Sequence, residues 1–130
     1  MAELARVLDV GQCSPDHLSI QSYIEDRFYA EVDQAFTTDE AIELMRGQRY
    51  DLVLVNRVID ADGGDGLGLI RAAKREEWAI PIMLVSNYAD AQSTAVAAGA
   101  VPGFGKANLR SGVTYEHLAR FLPVKKVEAT

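Results

Sequence analysis

Four polar side chains in this sequence each follow a short apolar run. Gln12 comes after Val7-Leu8-Asp9-Val10-Gly11, Asn56 after Leu52-Val53-Leu54-Val55, Ser86 after Ile80 to Val85, and Lys106 after Val101-Pro102-Gly103-Phe104. If the runs are neighbouring parallel strands, their carboxyl ends bring these groups into one crevice. Two amides, a hydroxyl and an ammonium make a hydrogen-bonding pocket with one cation, suited to an anion or a polar small ligand. The set is a poor one for a hard divalent cation, which wants carboxylate oxygens. Nor is Asn56 a nucleophile, because the lone pair of an amide nitrogen is delocalised.

Asp9 adds a carboxylate nearby. It lies two residues before Gly11, so the period of two points both to the same sheet face and places Asp9 one repeat deeper, beneath the space that Gly11 leaves empty. Two arrangements are open: an internal ion pair with Lys106, or a partly solvated carboxylate near a sheet edge. Asp60, Asp62 and Asp65 form a second acidic group inside a glycine-rich stretch, where turn chemistry is the ordinary role and a metal or acceptor role the alternative. Cys13 and His17 are four apart, but two ligands do not make a zinc site. The chain has one cysteine and two histidines, so a disulfide framework is excluded and His117 stands alone.

The elements that must position these groups follow from periodicity. With 130 residues, 48% of them hydrophobic, the chain has the size of one domain. Apolar runs alternate with segments of helical period from end to end, the pattern of an α/β fold with a parallel sheet. Ser14 and Pro15 start a helix to about Asp26. A half-exposed edge strand is expected over 29–34, and Thr37 with Glu40 makes a capping box for a helix over 38–46. Leu52 to Val55, apolar on both faces, reads as a central strand. Leu67, Ile70 and Ala73 mark a third helix, whose wet face takes Arg71, Lys74 and Arg75. Asn87 is the expected cap of an alanine-rich fourth helix ending at Gly99, and Thr114 that of the last helix. The domain is read as residues 1–123, with 124–130 a solvated tail.

These lengths, with Asp51-Leu-Val-Leu-Val-Asn56, Pro81-Ile-Met-Leu-Val-Ser86 and Gly99-Ala100 ahead of Lys106, resemble a response-regulator receiver domain over about residues 6–122. The resemblance implies a doubly wound, CheY-like and flavodoxin-like (βα)5 domain with strand order 2-1-3-4-5. It also implies a site where an aspartate after the third strand accepts a phosphoryl group, an acidic pair after the first strand holds Mg²⁺, and a Ser/Thr and a Lys contact the phosphoryl group. Matched by position, Ser86 and Lys106 are kept, but the acidic pair falls on Gly11 and Gln12 and the acceptor on Asn56. The proline after the lysine is Ala107, the aromatic switch position is Gly103 with Phe104 beside it, and Asp65-Gly66 comes two residues late. The departures concentrate on the chemistry, which leaves Asn56, Ser86 and Lys106 as a vestigial phosphorylation site and Gly11 and Gln12 as vestigial metal positions.

The net charge of -6 opposes attraction to nucleic acid and anionic lipid. No apolar stretch is long enough to span a bilayer, and a cytoplasmic location is expected. No G-x-G-x-x-G follows the first strand, and no metal or other cofactor is expected. The leading reading is a non-enzymatic, stand-alone pseudo-receiver that signals through a protein partner or a homodimer. The family's usual contact face of fourth helix, fifth strand and fifth helix points to Ala91, Phe104 and His117. The second reading is an anion or small-ligand sensor using Gln12, Asn56, Ser86 and Lys106.

Overall fold

The computed structural model describes residues 4–125. Five strands alternate with helices: β1 (Ala5–Val10), α1 (Ser14–Arg27), β2 (Ala30–Ala35), α2 (Thr38–Gly47), β3 (Leu52–Asn56), α3 (Leu67–Arg75), β4 (Ile82–Val85), α4 (Ala89–Ala97), β5 (Val101–Phe104) and α5 (Gly112–Ala119). The strands are parallel in the order β2-β1-β3-β4-β5. This is the doubly wound arrangement, with the chain turning back at β1 so that the ends of β1 and β3 border a crevice.

Strand alternation divides the apolar residues between two layers. Val7, Leu52 and Leu54 face α1 and α5, where they meet Ile20, Ile24, Phe28 and Leu118. Leu8, Val10, Val53 and Val55 face α2, α3 and α4 and pack with Ala41, Met45, Leu69, Ile70 and Ala95. Each such side chain contributes roughly 1.5–3 kcal/mol when fully buried. The central strand β3 is therefore apolar on both faces, whereas β2 alternates as an edge strand does.

Local signals survive at some helix ends and are reassigned at others. The Thr37 hydroxyl accepts from Glu40 N at 3.1 Å, as the capping-box spacing requires. Asn87 does not cap α4: Tyr88 holds the N-cap position without a side-chain bond, and Asn87 Oδ1 instead accepts from Ala107 N at 3.0 Å, tying the loops after β4 and β5 together. At α5 the cap is Ser111 rather than Thr114; Thr114 is buried and donates from Oγ1 to Asn108 O at 2.7 Å. Val124 bridges Phe28, and Lys125 N donates to Arg27 O at 3.0 Å, so the first two residues of the expected tail dock on the end of α1. The rest of that segment, 126–130, lies outside the described residues. No described helix is long and apolar enough to cross a membrane.

Candidate functional site

At the carboxyl edge of the sheet, Asn56, Ser86 and Lys106 line one small pocket of about 180 Å³. Asn56 Nδ2 donates to Val58 O at 2.7 Å and to Gly11 O at 3.4 Å, so the amide organises backbone rather than standing free as a reactive group. Ser86 Oγ accepts from Tyr88 N at 3.2 Å. The pocket holds a second cation that sequence reasoning missed: Arg57, whose guanidinium lies 5.3 Å from the centre of the Tyr88 ring. Its place directly after the last residue of β3 was the available signal.

Gly11 and Gln12 are not part of this pocket. Gly11 has φ +79°, a left-handed conformation that costs a residue with a Cβ, and a Cβ there would meet Ile59 Cδ1 at 2.5 Å. Gly11 therefore does not share Asp9's sheet face as the period of two predicts: its positive φ takes it out of β1, and its missing Cβ points at Ile59, 1% exposed in the layer of α2, α3 and α4, while Asp9 faces α1. The long loop after β3 seats Ile59: Asp60 N donates to Gly11 O at 2.9 Å, Ile59 N to Gly64 O at 2.8 Å, and Gly63 N to Ile59 O at 2.7 Å. In the same loop Asp62 Oδ1 accepts from Gly64 N and Asp65 Oδ1 from Leu67 N, which is turn and helix-start chemistry. Among the described residues there is no group of three or more His, Cys, Asp or Glu able to hold a metal ion. An amide, a glycine and an isoleucine do not fit Mg²⁺, which takes carboxylate oxygens.

Asp9 is wholly buried, as its place in a central strand demands, but its partner is not Lys106. His17 Nδ1 lies 2.8 Å from Asp9 Oδ2, and the pair is closed off by α1. Lys106 turns the other way and donates from Nζ to Asp16 Oδ2 at 2.7 Å, on the half-exposed rim. The physical reason is helix phase: α1 begins immediately above the end of β1, and its first turn presents His17 inward and Asp16 outward. A carboxylate in the sheet interior takes the nearest donor that is also buried. Burial pushes the Asp9 carboxyl above its ordinary value, opposed by His17, the adjacent Gln12 amide and, most weakly, the Lys106 charge. Gln12 is 2% exposed; neither of its amide atoms, nor Asp9 Oδ1, has a hydrogen-bond partner among the described residues. The hydrogen bond from Lys106 holds Asp16 below the usual carboxylate range.

A second missed residue is Gln92 on α4. Its Nε2 donates to Leu84 O at 2.8 Å, and more weakly to Ser86 O at 3.2 Å and Phe104 O at 3.3 Å, while Oε1 accepts from Gly103 N at 3.2 Å. The helix is therefore stapled across the ends of β4 and β5. A Cβ on Gly103 would collide with Leu84 O and press on Gln92 Oε1, so this position excludes larger residues. Phe104, expected on a contact face, is 4% exposed and packs in the core. His117 is half-buried, its Nδ1 3.2 Å from Gly103 O.

No family model matches this sequence, and no curated protein matches it. Solved structures do. A response regulator from Thermotoga maritima is 26% identical, with a TM-score of 0.74 over 91% of this chain and 97% of that one. The receiver domain of a Francisella response regulator is 15% identical, with a TM-score of 0.77 over 90% of this chain and 96% of that one. The beryllofluoride-activated receiver domain of NtrC4, solved as a dimer, is 18% identical, with a TM-score of 0.70 over 89% and 92%. The five-stranded order, the helices on both faces and the crevice at the carboxyl edge are thus the fold of the response-regulator receiver domains.

Proposed function

We propose that this chain is a receiver-type signalling module that works without aspartyl phosphorylation, as a non-enzymatic cytoplasmic partner of another protein. The observation that carries the reading is Ile59 against Gly11, together with an amide at position 56. The nucleophile is missing, and the place for a metal ligand is occupied by hydrocarbon. Incubation with radiolabelled acetyl phosphate and Mg²⁺ tests it: no label is expected, and stoichiometric, hydroxylamine-sensitive label on the parent chain would overturn it.

The message then passes through the surface. On the face of α4, β5 and α5, Ala91 and His117 are half-buried, while Tyr88 at the start of α4 and Val113 at the start of α5 are 64% and 61% exposed. Exposed apolar side chains of this size suit a protein contact, with a second copy of the chain among the possible partners. Affinity capture from the native cell with the parent chain and with Val113→Glu, together with sedimentation of both, separates the partners: a specific contact on this face is lost in the variant.

A second reading has its own support. Arg57 joins Lys106 and Ser86 around the small pocket, two cations and a hydroxyl suited to an anion. The buried Gln12 drops out of that set. Stabilisation by phosphate or sulfate in a thermal-shift measurement, lost in Lys106→Met, is the outcome expected of an anion sensor.

A further inference from the structure

We infer that the groove between the end of α1 and the start of α5, which shares no lining residue with the Asn56, Ser86 and Lys106 pocket, is a binding site for a nucleotide, its phosphates held by Arg27 and Arg110. The open groove has a volume of about 670 Å³ and is walled by Tyr23, Asp26, Arg27, Arg110, Tyr115 and Lys125. That volume is in the range of small-molecule sites, about 300–1,000 Å³. An isolated phosphate would fill only a small part of it, so the ligand carries a body beyond its anion.

Two guanidiniums converge on one ring. The guanidinium carbons of Arg27 and Arg110 lie 5.6 and 5.7 Å from the centre of the Tyr23 ring, which is itself 3% exposed. Cation–π attraction holds both groups beside the ring without consuming N–H donors, and of their N–H edges only Arg27 Nε has a side-chain acceptor among the described residues, Asp26 Oδ2 at 3.3 Å. Those edges match phosphate oxygens in a planar, bidentate fork. In a chain where acidic residues outnumber basic ones 19 to 13, this gathering of positive charge is a local inversion. Asp26 is the one carboxylate lining the groove, and it offsets only part of that charge, since its contact with Arg27 Nε is 3.3 Å long and both side chains are exposed. Arg110 has no carboxylate partner among the described residues. Lys125 also lines the groove, but its Nζ is committed elsewhere, donating to Glu25 O at 2.7 Å and lying 5.7 Å from the Tyr29 ring, so the two arginines carry the charge.

The aromatic wall suits a base. Tyr115 is stacked on Phe28 with ring centres 5.3 Å apart, so its orientation is set by the core before any ligand arrives. A rigid tyrosine beside two cations offers stacking and charge at once, the combination a nucleotide presents in mirror image.

The test is titration of adenosine and guanosine diphosphates into the ¹⁵N-labelled full chain at low salt, with pyrophosphate and adenosine as the separated halves. Saturable shifts at Tyr23, Arg110 and Tyr115 are expected, tighter for a diphosphate than for either half and weakening as salt is added. Both arginines are on the surface, so Arg27→Gln with Arg110→Gln is expected to fold and to weaken binding about tenfold or more. Arg110→Lys, which keeps charge and loses the fork, should lie between, and Arg75→Gln, on α3 across the sheet, should bind like the parent. Failure to saturate with either diphosphate at millimolar concentration overturns the proposal. So do shifts that gather at Asn56, Ser86 and Lys106, or binding that survives the double substitution.

Discussion

Lys106 Nζ donates to Asp16 Oδ2 at 2.7 Å, joining the loop after β5 to the first turn of α1 across 90 positions of sequence. Both side chains are about one-third exposed, at 32% and 39%. Water screens such a pair, so Lys106→Met and Asp16→Asn should each cost about 0–1 kcal/mol in chemical denaturation. Asp16 is held below its ordinary value of 3.8, chiefly by that hydrogen bond, so the stabilisation it gives is present above pH 3.8 and is lost as the pH falls through its folded value. The stability difference between parent and Lys106→Met should therefore shrink below that pH. Carboxyl NMR should show Asp16 moving up towards 3.8 in the variant.

Asp9 and His17 should behave in the opposite way, because their pair is buried, with side chains 0% and 7% exposed. His17→Leu leaves a carboxylate alone in the sheet interior and should cost about 3–5 kcal/mol. Asp9→Leu leaves an imidazole without its hydrogen-bond partner rather than an isolated carboxylate and should cost less, about 1–3 kcal/mol. The double change should be much milder than the sum, a coupling that a double-mutant cycle reads directly. A parallel cycle of Asp9 with Lys106 should be nearly additive, since no hydrogen bond links them.

Rebuilding a phosphorylatable site needs more than carboxylates. Gly11→Asp places a Cβ at φ +79° and 2.5 Å from Ile59 Cδ1, and should lower stability by about 1–3 kcal/mol through overpacking alone. Asn56→Asp by itself should take no label from acetyl phosphate, and the triple change with Gly11→Asp and Gln12→Asp should label poorly. Adding Ile59→Ala to the triple variant is expected to raise both Mg²⁺ binding and labelling. Equal labelling with and without that fourth change would show that Ile59 does not block the position.

Gln92 can be read through exchange kinetics. Gln92→Leu removes the donor that reaches Leu84 O and the acceptor for Gly103 N while preserving most of the side chain's volume. Leaving those backbone groups unpaired at a half-buried position should cost about 1–3 kcal/mol. Amide hydrogen exchange should speed up at Gly103 and along α4, with β1 and β3 unaffected, because the lost bonds join only α4, β4 and β5.

What the sequence by itself determined is the set of faces. Leu52 to Val55 could only be a strand covered on both sides, and Thr37 and Glu40 could only usefully bracket a helix start. Each of these follows from a period of two or of 3.6, or from a local capping bond, and needs no knowledge of distant residues. The resemblance carried by the segments ending at Asn56, Ser86 and Lys106 extended this to strand order, and the structure has that order. The tertiary structure alone decided who meets whom. Asp9 and Lys106 approach the same crevice, yet the phase of α1 gives Asp9 to His17 and Lys106 to Asp16. Nothing local in the run from Asn56 to Gly66 says that Ile59 will fold back onto Gly11; that depends on the backbone bonds the loop makes with the end of β1. The caps misassigned to Asn87 and Thr114 have the same cause: each side chain found a partner, at Ala107 N and Asn108 O, that exists only once the loops are packed. Periodicity fixes the direction in which a side chain points, and the docking of helices and loops fixes what it finds there.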